Sequence, residues 1–112
     1  MRITVVVSHA SAYPDPIAFE PGDRLLLGER DSEYPGWTWV TLPSGKAGWA
    51  PQAFLRVRSP TEAIGIERYS ARELDTTLGQ QLIVHNELNE WLWVENRDGE
   101  FGWVPKKTTS IA

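Results

Sequence analysis

Residues 37–51 read WTWVTLPSGKAGWAP, and residues 91–105 read WLWVENRDGEFGWVP. The two stretches stand 54 positions apart in a chain of 112 residues. Side chains alternate within each. Trp37, Trp39 and Thr41 point one way and Thr38, Val40 and Leu42 the other, the period of a half-buried strand. Pro43-Ser44-Gly45 and Asp98-Gly99 read as turns, because glycine supplies the positive φ of a tight hairpin. Pro51 ends the second strand, since proline cannot donate to a ladder. Each stretch is therefore predicted to be a hairpin. Val40, Leu42 and Ala50 would face inward in the first copy, and Leu92, Val94 and Val104 in the second. Trp39 and Trp49 would then be outer cross-strand neighbours, as would Trp93 and Trp103. Such aromatic pairs add about 0.2–1 kcal/mol each.

The repeat extends beyond these hairpins. Pro21 to Leu27 matches Leu78 to Val84, and Ile17 matches Leu74, all at a spacing of 57. The change from 57 to 54 falls between Leu27 and Trp37, where ERDSEYPG stands against the shorter NELNE. A constant period interrupted by one loop deletion marks a duplicated unit. Helical periodicity is absent and Gly and Pro punctuate the chain at short intervals, so each unit reads as all-β.

Net charge is −4 and the pI is near 5.1. That balance argues against nucleic acid or an anionic membrane surface as partner, since both are met with cations. There is no Cys, which removes disulfides, a thiolate nucleophile and a Cys-based zinc site. The apolar run Ile3 to Val7 is too short for the core of a secretory signal and reads as a strand. Cytoplasmic residence is the expectation.

Catalytic patterns are weak. Ser8 and His9, with Asp15 nearby, stand without a nucleophile motif, and adjacent strand residues face opposite sides. His9 and His85 lack metal-ligand partners at close spacing. Glu20/Asp23 and Glu87/Glu90 fall in turns, where solvated carboxylates are expected. Lys106-Lys107 is too short a basic patch for nucleic acid. The expectation is a non-catalytic protein without metal or cofactor.

The order of strand, irregular loop, Gly-Asp turn, strand, Trp hairpin and Gly-aromatic-x-Pro resembles the SH3 domain, most closely the bacterial variant type. Ile17 to Asp23 is similar to the family's Leu-Ser-Phe-x-x-Gly-Asp turn. Trp37 is similar to the first of its paired Trp, and Gly48 to Leu55 to its Gly-x-Phe-Pro-x-x-Tyr-Val ending. Leu74 to Gln80, Trp91 and Gly102 to Pro105 repeat the pattern. The resemblance implies two tandem SH3-like barrels, one over 1–57 and one over 63–112, joined by a linker at 58–62. That short link, stiffened by Pro60, favours barrels in contact over free modules.

The same resemblance implies shallow grooves for proline-rich or extended segments, which arrive already ordered. The first groove would use Tyr13, Trp37, Pro51 and Phe54, with Asp15 and Glu33 on flanking loops to hold a Lys or Arg of the ligand. The second would use Tyr69, Trp91 and Pro105, with Thr108 standing where the first copy has Phe54. The first-strand motif is degraded. A strict count back from Ile17 puts His9 at the second Tyr, whereas a shortened loop puts Tyr13 there. The shortened loop is preferred, because it sets an aromatic at the same site as Tyr69. Burying ~100 Å² against Trp37 would contribute roughly 2.5 kcal/mol, so micromolar affinity or weaker is expected, chiefly through the first groove. Two alternatives stand beside this reading. The Trp-rich faces could pack between barrels or in a homodimer with no peptide groove, or the rings could stack on cell-wall glycan.

Overall fold

The computed structural model describes residues 1–11 and 15–111. Its strands are β1 (Arg2–Val5), β2 (Ala18–Phe19), β3 (Arg24–Arg30), β4 (Trp37–Thr41), β5 (Ala47–Pro51), β6 (Leu55–Ser59), β7 (Glu62–Gly65), β8 (Tyr69–Ser70), β9 (Gln81–Leu88), β10 (Trp91–Glu95), β11 (Phe101–Pro105) and β12 (Thr109–Ile111). Short 3₁₀ turns at Gln52–Phe54 and Lys106–Thr108 precede β6 and β12.

Both repeats build the same five-stranded antiparallel sheet, yet neither repeat builds it alone. One sheet has the order β5-β4-β3-β7-β6 and the other β11-β10-β9-β1-β12. The first strand of each repeat therefore completes the sheet of the other. Leu25 is the partner of Ala63, and Leu82 the partner of Ile3, so the two sheets use equivalent registers. One compact unit is contiguous, Asp15–Ala71, and the other is split, joining Met1–Pro14 to Arg72–Ala112.

This corrects the expected division at a linker. Residues 58–62 are not a spacer: Arg58 and Ser59 end β6, Pro60 and Thr61 form a turn, and Glu62 opens β7. The physical reason is the length of that turn. A connection this short folds its flanking strands back on each other as a hairpin. β7 thus takes the place beside β6, with Arg56 opposite Ile64 and Val57 opposite Ala63. That place is then filled in the contiguous unit. β1 inserts between β9 and β12 instead, with Thr4 opposite both Gln81 and Ser110.

The hairpins pair as expected, but burial departs from strict alternation in β11: Trp103, expected outward, is only 5% exposed, because the chain at Arg72 and Leu74 runs along it and hydrogen-bonds its backbone. Trp39 pairs with Trp49 and Trp93 with Trp103, with ring centroids 5.1 and 5.2 Å apart in edge-to-face contact. Gly45 and Gly99 hold the turns at φ of +92° and +81°. In the split unit Ile3, Val5, Leu74, Leu82, Leu92, Val94 and Val104 form one buried cluster. In the contiguous unit Ile17, Phe19, Leu25, Val40, Ala50, Leu55 and Ala63 are buried. Leu42 departs from its expected inward place. It is only partly buried, because β4 ends at Thr41 and Leu42 already belongs to the turn, its N–H donating to the Lys46 carbonyl.

The loop deletion between the repeats also has a structural outcome. In the second copy β9 and β10 are joined by Asn89 and Glu90 alone, both at positive φ (48° and 72°). Such a turn matches the twist of the paired strands.

Candidate functional site

In the contiguous unit an aromatic cluster gathers around Tyr69. Its ring centroid lies 5.3 Å from Phe19, 5.9 Å from Phe54 and 6.4 Å from Trp37. The phenol hydroxyl donates to the Trp49 carbonyl at 2.9 Å. β4 and β5 place Trp37 opposite Pro51, and the Gln52–Phe54 turn carries Phe54 next to them. Gly65 permits the close approach of Phe19, since a Cβ there would stand 2.7 Å from Phe19 Cδ1.

Three of the residues expected in the first groove, Trp37, Pro51 and Phe54, are thus brought together. Tyr69 joins them, which corrects its expected place beside Trp91. The cause is the strand exchange: β8 follows β7 into the contiguous unit and pairs with β2, Tyr69 opposite Phe19. Tyr13 lies outside the described residues. Asp15 is exposed and ion-paired with Lys46 at 2.9 Å. Glu33 is exposed on the loop before β4, where Asp31 Oδ1 accepts its backbone N–H at 2.8 Å. Both carboxylates stay near solvent. The rings do not: Trp37 and Tyr69 are each only 5% exposed, whereas Phe54 is partly open.

The split unit carries the equivalent arrangement with different chemistry. Trp91 faces Pro105 across β10 and β11. The ring beside Trp91 is His9, at 5.9 Å and edge-on. His9 bridges Thr76 as Tyr69 pairs with Phe19, so His9 occupies the place that Tyr69 holds in the other unit. The strict count from Ile17 had put His9 at that tyrosine site. His9 Nε2 bonds Glu73 Oε1 at 2.7 Å, and both side chains are largely buried. Glu73 escaped the sequence reading, since its partner lies 64 residues away. Thr108, at the place of Phe54, is buried and donates to the Pro105 carbonyl at 2.7 Å, so it offers no exposed ring there. Trp91 remains half-buried. Lys106 binds Glu87 at 2.8 Å, an interaction that raises the Lys106 ammonium above its usual value through the hydrogen bond first and the charge second.

Among the described residues no cluster of His, Asp or Glu is arranged to hold a metal ion, and no helix is long and apolar enough to cross a membrane. Both units thus pack aromatic rings beside a proline on a small barrel, at the place of the expected grooves.

Comparisons with known families agree with that geometry. A model described as "Variant SH3 domain" matches residues 2–58, and one described as "SH3 domain" matches residues 68–106. No curated protein and no solved structure gives a significant match. The matches follow the sequence repeats, while the sheets exchange their first strands. SH3 domains are in general non-catalytic protein-interaction modules that typically bind proline-rich peptides. The chain belongs to the SH3 domain family and carries two such domains in tandem.

Proposed function

We propose that this protein is a non-catalytic interaction module that holds extended, proline-containing protein segments in its aromatic troughs. The observation that carries the reading is the convergence of Trp37, Pro51, Phe54 and Tyr69 in one unit, repeated by Trp91, Pro105 and His9 in the other. Prolines stack on such rings without losing much conformational freedom. Asp15 and Glu33 would orient a Lys or Arg of the ligand, each exposed pair contributing about 0–1 kcal/mol.

The burial of Trp37 and Tyr69 removes the reason to prefer the first groove. Of the Trp, Tyr and Phe rings at the two expected grooves, Phe54 in the contiguous unit and Trp91 in the split one keep accessible surface. The test is an amide chemical-shift titration with a proline-rich decapeptide containing one Arg, run on the parent and on Trp37→Ala and Trp91→Ala. Shifts centred on Phe54 or Trp91, lost in the corresponding variant, support the reading. No shift at either trough at millimolar peptide overturns it.

One observation favours a second reading. Trp39, Trp49 and Trp93 stay partly exposed in the single chain, which suits a protein whose Trp-rich faces serve assembly rather than peptide capture. Sedimentation over a wide concentration range separates the two: a monomer throughout speaks against an assembling homodimer.

A further inference from the structure

The contiguous unit holds a cleft that the aromatic trough does not use. It measures about 670 Å³ and is lined by Arg24, Leu26, Leu42, Arg58, Glu62 and Ile64, among others. Its wall is the outward side of β3 and β7, where Arg24 stands opposite Ile64 and Leu26 opposite Glu62. Leu26 is 54% exposed, a large apolar side chain left open beside charged ones.

The split unit contains the same cleft at equivalent positions, which makes the two a built-in comparison. There the lining includes Arg2, Gln81, Ile83, Glu95, Asn96 and Arg97. Ile83 answers to Leu26, Asn96 to Leu42, Gln81 to Arg24 and Arg2 to Glu62. That version is about 160 Å³. The fold therefore supplies the depression in both units, and side-chain choice has made it wide and apolar-floored in only one.

Two features tune the larger cleft for an anion. The register of β6 on β7 shifts between Val57 and Ser59, leaving Arg58 as the extra residue of a bulge. Bulges re-aim a side chain out of the ordinary alternation, and this one directs an arginine to the cleft. In addition, neither Arg24 nor Arg58 has an ion-pair partner among the described residues, although the protein is acidic overall. Two unpaired guanidiniums against the single carboxylate of Glu62 leave the cleft cationic. Guanidinium forks favour carboxylates, while Leu26, Leu42 and Ile64 offer apolar contact.

We propose that this cleft is a second binding site, distinct from the trough, for an extended peptide segment in which an acidic side chain is flanked by large apolar ones. The site does not depend on the trough being active.

The test uses the full chain, isotopically labelled and titrated with the acetylated, amidated pentapeptide Ala-Leu-Glu-Leu-Ala. Its Glu→Gln analogue and octanoate are run in parallel, on the parent and on Arg24→Gln/Arg58→Gln. The expected result is shifts at the amides of Leu26, Glu62 and Ile64 with the acidic peptide. The Gln analogue and the double variant each bind at least about tenfold more weakly. Both arginines are exposed, and an otherwise unchanged amide spectrum shows that the variant is folded. Absence of shifts there at millimolar peptide, or equal binding by the double variant, overturns the proposal. So does binding of octanoate without the peptide, which would assign the cleft to small amphiphilic carboxylates.

Discussion

Tyr69 of the second repeat packs 6.4 Å from Trp37 of the first, and that single contact shows that neither trough belongs to one repeat. The partner of Trp91 is likewise His9, from the far end of the chain. A separation of the repeats at Pro60 would take the first strand away from both sheets.

Strand exchange is open to direct test because the protein has no native Cys. Thr4 and Ser110 are antiparallel partners, a placement within the ~4.4–6.8 Å Cα range of disulfides. Thr4→Cys/Ser110→Cys is expected to oxidise within one chain. Thr4→Cys/Arg56→Cys, the pair an unexchanged first barrel would align, is expected to stay reduced. Non-reducing electrophoresis and peptide mapping read the outcome, and the reverse pattern would show that the repeats fold separately.

Gly48 and Gly102 occupy equivalent places 54 residues apart but should tolerate a methyl group differently. A Cβ at Gly102 meets Leu74 Cγ at 2.8 Å and the Leu74 backbone N at 3.0 Å, whereas at Gly48 the nearest atom is Ile17 Cγ1 at 3.2 Å. Backbone yields less than a side-chain methylene. Gly102→Ala is expected to cost roughly 1–3 kcal/mol, and Gly48→Ala less. Urea unfolding of the two variants decides it.

Glu90 holds φ at 72° in the two-residue turn, a conformation that costs a side chain about 1–2 kcal/mol. Glu90→Gly should therefore stabilise the split unit by about 0.5–1 kcal/mol after the entropic cost of glycine. The readout is the thermal midpoint. A lowered midpoint would mean that Glu90 makes a compensating contact.

Glu20 and Arg68 form a forked pair, with Arg68 Nη2 and Nε donating to the carboxylate at 2.7 and 2.9 Å. The hydrogen bonds from Arg68 hold the Glu20 carboxyl below its ordinary value; slight desolvation opposes this and the Arg68 charge assists it. A lowered folded-state value means that the contribution is present above the unfolded carboxylate value. It fades as pH falls through the folded one. The pair is exposed, so high salt should weaken it. A carboxyl-carbon NMR titration is expected to place Glu20 below free glutamate, and Arg68→Gln should return it. No change in Arg68→Gln would show that the pair does not persist in solution.

The hairpins, turns and barrel class were legible because they are local: Trp39 and Trp49 stand ten residues apart, and Gly45 marks the turn between them. The family resemblance rested on the same short-range patterns. Strand exchange was not legible from them. A first strand at β1 or at β7 presents the same alternation, Ile3 and Val5 against Ala63 and Gly65. Only the length of the Pro60-Thr61 turn decides between the two sheets. Taken as a spacer, that short link sets Tyr69 beside Trp91; as the hairpin it is, it carries Tyr69 to Phe19 and Trp37. The burial of Trp37 was also out of reach, since exposure depends on what the whole fold lays over a ring. Arg58 acquires its direction from a bulge that no residue type announces.

The contiguous barrel lies between the two portions of the split one along the chain, and this orders events during translation. Residues 1–5 leave the ribosome before the contiguous barrel but have no sheet to enter until residues from Gln81 onward have emerged. Asp15–Ala71 already contains every strand of its own sheet and can close while the remainder is still being made. The nascent amino-terminal segment, with Ile3 and Val5 uncovered, must therefore wait through the synthesis of a whole neighbouring barrel. Its pairing with β12 comes later than its pairing with β9.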